Sequence, residues 1–252
     1  MRVESDVVLC AEKLGKSYDP QAGAYGTLRD ALWPFGRAAR EPVWSLRDVS
    51  FELRRGEALA VLGRNGAGKT TLLKILARIT RPSEGWAETR GRVSALLEVG
   101  TGFHSELTGR ENVFVGGALL GMKRREIRGL LPAIEEFADV GAYFDRQIRT
   151  YSRGMQLRLA FAVAMSLSPE ILLLDEVLAV GDAVYQRKCV AAIEALKVQG
   201  VALILVSHHP PTVERLCARA LLLSGGAPVK VGSVTEAIAG YYGGDQRPRL
   251  GV

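Results

Sequence analysis

Lys69 and Thr70 close a glycine-rich run, Gly63-Arg64-Asn65-Gly66-Ala67-Gly68, set between an apolar segment ending at Leu62 and an apolar-periodic segment reaching Leu76. Glycines at this spacing let a backbone wrap closely around a polyphosphate and aim several N–H groups at it, while the positive end of the following helix faces the anion. A lysine in this place reaches the outer phosphates as a mobile point charge, and the threonine hydroxyl after it can ligate Mg2+. Gly63, Asn65, Gly66, Gly68, Lys69, Thr70 and Thr71 are therefore candidate phosphate-binding residues, with Thr70 also a candidate metal ligand. The competing reading is a chance glycine turn. The strand signal before it, the helix signal after it and the Lys-Thr pair together decide against that.

Two further polar groups follow apolar runs. Asp175 and Glu176 come after the aliphatic run 171–174, and Ser207 and His208 come after 201–206. Continuous aliphatic runs of this length read as parallel strands covered on both faces, and open parallel sheets bind ligands along their carboxyl edge. On that edge Asp175 would hold the Mg2+ shell that Thr70 begins, and Glu176 would polarise a water attacking the terminal phosphate. By itself an Asp-Glu pair is more simply a helix cap with a first-turn acid, and a lone histidine is more often a core residue. Beside a phosphate loop the pair reads as catalytic, and His208 reads as a donor to the terminal phosphate or the attacking water.

The elements around these groups are those of an α/β chain. Residues 7–18 read as an opening strand and turn, and 44–54 as a strand pair. Between them an irregular insert places Leu28, Leu32 and Phe35 at helical spacing, with Pro34 limiting the helix to a short piece. Residues 99–167 turn helical, with Thr108 and Glu111 spaced as a capping box. The run 155–167 is apolar on almost every face, with Arg158 its only charge, as expected of a buried helix. Beyond it, Leu221, Leu222 and Leu223, then Ser224-Gly225-Gly226 and a second β-prone run, predict a hairpin. Ser233 and Glu236 cap a last helix, and the Gly-, Pro- and Arg-rich residues 244–252 read as a flexible tail.

Bulk properties narrow the classes. The chain has 252 residues, three cysteines and a net charge of +6. Cys10, Cys189 and Cys217 are odd in number and widely spread, which argues against a disulfide framework and fits a reducing compartment. No uncharged apolar stretch approaches the roughly 20 residues that span a bilayer. Lys and Arg are dispersed rather than gathered into a stripe with interleaved aromatics, so nucleic acid is not an expected partner.

With these three groups in place the chain resembles the nucleotide-binding subunit of an ABC transporter. Gly63 to Thr70 matches the Walker A pattern, Ile171 to Glu176 the Walker B strand with its glutamate, and His208 the switch histidine. Tyr151-Ser152-Arg153-Gly154-Met155 stands where the family carries Leu-Ser-Gly-Gly-Gln, retaining Ser152 and Gly154. The resemblance implies a P-loop NTPase core with a parallel sheet, an antiparallel β subdomain and an inserted helical subdomain. It also implies ATP and Mg2+ as ligands, and a head-to-tail homodimer in which Ser152 and Gly154 contact the nucleotide of the opposite subunit. Tyr18 matches the aromatic that stacks on adenine, with Trp44 as the alternative. Glu98 stands near the family glutamine that links Mg2+ to the membrane partner.

The aromatic-Ser-x-Gly-Met signature, the stretch from Leu96 to Asn112 and the run from Asp175 to Asp182 are similar to exporters of lipid-linked polysaccharides, the O-antigen, teichoic-acid and capsule systems. Expected partners are then a transmembrane permease and a second copy of this chain, at the cytoplasmic face of the inner membrane. Residues 1–243 would form the ATPase domain, and the short tail implies no glycan-binding domain. The alternative is a soluble ABC ATPase acting on ribosomes or DNA. Those usually carry two cassettes or a long coiled-coil insertion, and neither pattern is present.

Overall fold

An aliphatic run without polar alternation must be covered on both faces, whereas an alternating run needs only one covered face. The chain contains both patterns, and they sort its strands into two sheets. The computed structural model describes residues 6–18, 42–97, 103–119, 122–166, 169–179 and 182–243. Its strands are β1 (Val7–Tyr18), β2 (Val43–Arg54), β3 (Ala58–Leu62), β4 (Glu84–Thr89), β5 (Val93–Leu96), β6 (Ile171–Asp175), β7 (Ala202–Val206), β8 (Arg219–Ser224) and β9 (Ala227–Ser233). Its α-helices are α1 (Lys69–Leu76), α2 (Gly109–Leu119), α3 (Arg124–Ala138), α4 (Arg153–Ser166), α5 (Ala183–Val198), α6 (Pro210–Leu216) and α7 (Val234–Gly243).

The larger sheet has the order β5-β6-β7-β3-β8-β9 and is parallel except for the β8–β9 hairpin. Side chains alternate across it, as a pleated strand requires. Ala58, Ala60, Leu62, Leu172, Leu174, Leu203 and Leu205 face a core shared with α4, α5, α6 and α7. Their neighbours Leu59, Val61, Ile171, Leu173, Ile204 and Val206 face a second core with α1 and the smaller sheet. That smaller sheet is antiparallel, with the order β2-β1-β4. The chain is thus an α/β fold with a mainly parallel sheet and an antiparallel β layer, as expected. Helices α2 and α3 follow β5 and pack with α4 around a third core that includes Val113, Ile127, Ile134, Phe144 and Leu159.

The expected strand pair at 44–54 is a single strand. β2 runs unbroken and pairs with β1, Leu53 opposite Leu9 and Trp44 opposite Ser17. Leu46 and Val49 are both buried although three residues apart, which breaks a period of two and imitates a turn in the sequence. Asp48 resolves this with φ +55°, and the register shifts beside Leu14 take up the extra residue. β1 is likewise one long strand without the anticipated turn. The capping box at α2 forms as expected. Thr108 N–H donates to Glu111 Oε2 at 2.8 Å, and Glu111 N–H donates to Thr108 Oγ1 at 3.1 Å. At α7, Glu236 N–H donates to Ser233 Oγ at 3.3 Å.

Candidate functional site

β6, β7 and β3 are consecutive in the sheet, so the loops at their carboxyl ends meet along one edge. After β3 the chain turns through Gly63 to Gly68 and enters α1 at Lys69. Gly66 and Gly68 have φ of +81° and +93°, which favour glycine. A Cβ on Gly68 would stand 2.3 Å from Ser45 O and 2.7 Å from Leu46 Cδ2, so this glycine also lets the loop dock on β2. Lys69 is buried, and Nζ donates to Gly63 O at 2.6 Å and Arg64 O at 3.1 Å. Desolvation lowers its pKa from the usual lysine value, while Glu176 and Asp175 favour the charged form. Ser45, Asn65, Gly66, Ala67, Gly68, Lys69, Thr70, Thr71 and Glu176 line a cleft of about 300 Å³. Ser45 was invisible as a site residue in the sequence. A serine on an ordinary strand carries no motif, and only the docking of β2 on the loop brings its Oγ to 2.8 Å from Thr71 Oγ1.

The second group adjoins the first. Thr70 Oγ1 donates to Asp175 Oδ2 at 2.8 Å, joining α1 to the end of β6 across 105 residues of sequence. Glu176 leaves the strand with φ +56°, a left-handed conformation that costs a non-glycine residue about 1–3 kcal/mol. Its N–H donates to Val206 O at 2.9 Å, which holds the turn in place. The turn delivers the carboxylate to His208, whose Nε2 lies 2.8 Å from Glu176 Oε1. Glu176 and His208 also border a cleft of about 320 Å³ with Leu178, Gln186, Ser207, His209 and Thr212. Glu176 therefore stands on the wall between two clefts, one lined by the phosphate loop and one by the loop after β7.

The remaining expected residues lie apart from these clefts in the single chain. Ser152 is exposed and caps α4, its Oγ accepting from Met155 N–H at 3.2 Å. A Cβ on Gly154 would meet only Ser152 Oγ, at 3.8 Å, so nothing within the described chain demands glycine there. Tyr151 is buried instead. Its hydroxyl donates to Tyr143 O at 2.7 Å and presses on Gly109, where a Cβ would stand 2.2 Å from Tyr151 Oη. Burial pushes the Tyr151 phenol up to about 12, keeping it a neutral donor. Tyr18 ends β1 half-exposed with Lys16 Nζ 5.2 Å above its ring, and Trp44 carries the Arg47 guanidinium 4.9 Å from its ring. Glu98 and the insert with Leu28, Leu32 and Phe35 lie outside the described residues.

The chain is similar to known proteins in sequence and in fold. A family profile described as ABC transporter matches residues 46–179. The chain is 40% identical over 251 residues to the ABC transporter protein AbcA of Aeromonas salmonicida, covering 98% of this chain and 81% of that protein. It is 44% identical over 197 residues to an O-antigen export system ATP-binding protein, RfbB, of Klebsiella pneumoniae, with 78% and 80% covered. A teichoic acids export ATP-binding protein, TagH, of Listeria innocua is 33% identical over 236 residues, with 94% and 70% covered. Among solved structures, one described as the ATP binding subunit of an ABC transporter superposes with a TM-score of 0.76 at 22% identity, covering 94% of this chain and 93% of that one. A dimeric ATP-binding cassette in a post-hydrolysis state, bound to ADP and Pi, gives a TM-score of 0.73 at 19% identity, with 90% and 98% covered. At these identities both likenesses are of fold.

Proposed function

The chain belongs to the ABC transporter family, and we propose that it is the ATP-hydrolysing subunit of an exporter of lipid-linked polysaccharide. In this reading it works as a head-to-tail homodimer bound to a transmembrane permease at the cytoplasmic face of the inner membrane. Its activity as an ATPase follows from family and fold. The export assignment draws on the relatives named for O-antigen and teichoic acid export, and on the aromatic signature at Tyr151. No helix among the described residues is long and apolar enough to cross a membrane.

The observation that carries the enzymatic reading is the meeting of Thr70 with Asp175 and of Glu176 with His208, each at 2.8 Å, on three adjacent strand ends. The N–H groups of the loop from Gly63 to Gly68 and the N-terminus of α1 cradle the phosphates of ATP, with Lys69 as the point charge among them. Thr70 and Asp175 suit Mg2+. They are hard oxygen donors within one hydrogen bond of each other, and Mg2+ commonly takes few protein ligands, completing its shell with water and phosphate oxygens. When bound, Mg2+ neutralises charge on the outer phosphates. Glu176 then accepts the proton of the attacking water, and His208 Nε2, now beside the Glu176 carboxylate, donates toward the terminal phosphate. The bond between the terminal phosphorus and its bridging oxygen breaks, leaving ADP and phosphate.

Ser152 and Gly154 act on the second copy's nucleotide. The exposure of Ser152 at the start of α4, and the open space at half-buried Gly154, suit an approaching phosphate better than any use within one chain. In this reading Tyr18 stacks on adenine, with Trp44 as the alternative. Purifying the tagged chain from membranes tests the assignment. Recovery with a membrane-spanning subunit, and ATPase activity indifferent to nucleic acid, are the expected results. A chain recovered without any membrane partner and stimulated by DNA or ribosomes would overturn the assignment in favour of the soluble alternative.

A further inference from the structure

Nothing in the catalytic scheme above uses α7, yet this helix reaches the switch histidine. Val234 and Ala237 are buried, and Ile238 and Tyr241 pack on the same core as Leu62, Val213 and Leu222. Tyr241 follows Ala237 by four residues and Ile238 by three, and so shares the face turned to the sheet. Tyr242 supports the Tyr241 ring edge-on, with centroids 5.1 Å apart at 79°. Thus held, the Tyr241 hydroxyl lies 3.4 Å from His208 Nδ1, with the two ring centroids 6.3 Å apart. Leu62, Gly63, Lys69, Ser207, His208 and Tyr241 border one crevice, so the contact sits between the phosphate loop and the loop after β7.

We propose that Tyr241 is a positioning residue that holds His208 in the tautomer its role requires. Glu176 Oε1 stands 2.8 Å from Nε2, and an ionised carboxylate can only accept, so Nε2 carries a hydrogen. In the neutral ring Nδ1 is then the acceptor, and the Tyr241 hydroxyl is the donor that faces it. The imidazole is gripped at both nitrogens, short on the Glu176 side and long on the Tyr241 side. The alternative tautomer would turn a lone pair toward the Glu176 carboxylate and toward any phosphate oxygen arriving there, and the hydroxyl disfavours it. The same contact joins the last helix to the hydrolytic edge, so a displacement of α7 would loosen His208. This inference rests on the reading of His208 as a donor at the terminal phosphate.

Tyr241→Phe removes the hydroxyl and keeps the ring that packs on the core. Its kcat for ATP should fall about three- to tenfold, the worth of one modest hydrogen bond expressed in rate, while KM stays within about twofold. The chain has only three histidines, so ring-nitrogen NMR of 15N-histidine-labelled protein can follow His208 directly, its signals identified by their loss in His208→Ala. In Tyr241→Phe these signals should move toward the Nδ1-protonated tautomer. Wild-type kcat together with unmoved His208 signals would overturn the proposal. A fall in KM performance and thermal stability without change in those signals would also overturn it, by reducing Tyr241 to a packing residue. His208→Ala separates the two layers. Should it turn over ATP normally, the role of His208 itself fails; should it be inactive while Tyr241→Phe is indistinguishable from wild type, only the positioning role fails.

Discussion

Lys69 illustrates how a single side chain acquires its use from its surroundings. The ammonium is held against two loop carbonyls and away from water, so its attraction for a phosphate is less screened than that of a surface lysine. In the proposed role it serves the bound substrate and the transition state alike, so Lys69→Ala should weaken both. Titration with a non-hydrolysable ATP analogue is expected to show an affinity loss of about ten- to hundredfold, the worth of a hydrogen bond to a charged group. Hydrolysis should fall with it; normal binding and turnover would remove Lys69 from the phosphate site. Glu176 differs in kind. Its place depends on a left-handed backbone at a strand end, which no spacing rule announces. The sequence supplied its identity and its strand, while the Val206 carbonyl and the His208 ring supply its direction.

At the level of elements, continuous aliphatic runs revealed β3, β6 and β7, and with them the edge that carries the candidate site, because burial on both faces leaves no room for alternation. The three-residue step from Leu46 to Val49 was misleading, since a bulge and a turn begin with the same break in period. Ser45 and Tyr241 were equally hidden. The first reaches the loop by docking of one sheet on another, and the second meets His208 across 33 residues of sequence. The Tyr151 side of α4 gives an element-scale prediction. A methyl at position 109 would meet the Tyr151 hydroxyl, Phe144 O at 2.9 Å and Leu159 Cδ2 at 3.2 Å. Gly109→Ala should cost about 1–3 kcal/mol in thermal or urea unfolding, the range for overpacking. Combining it with Tyr151→Phe should recover part of that loss. A strictly additive pair would show that the hydroxyl and the glycine are not matched.

For the whole molecule, the proposed head-to-tail pairing would make each ATP site a composite of one chain's phosphate loop and the other's Ser152 and Gly154. Mixing Ser152→Arg chains with Lys69→Ala chains then gives heterodimers with one site lacking both functions and one site lacking neither. ATPase activity of the mixture should exceed that of either variant alone. Activity no greater than the two separate rates would place Ser152 outside the partner's site. The resemblance supplied this arrangement; the single chain contributes an exposed cap at Ser152 and unfilled space at Gly154.

The central claim is that Glu176 takes the proton from the water that attacks ATP. The most direct test is a paired measurement of ATP binding and hydrolysis on Glu176→Gln, which keeps the size of the side chain and its contact with His208 but removes the base. Binding of ATP should persist, ATP-dependent dimers should accumulate, and turnover should slow by about 10²- to 10⁴-fold, the contribution of a positioned general base. Undiminished turnover in a variant that still binds ATP would contradict the account.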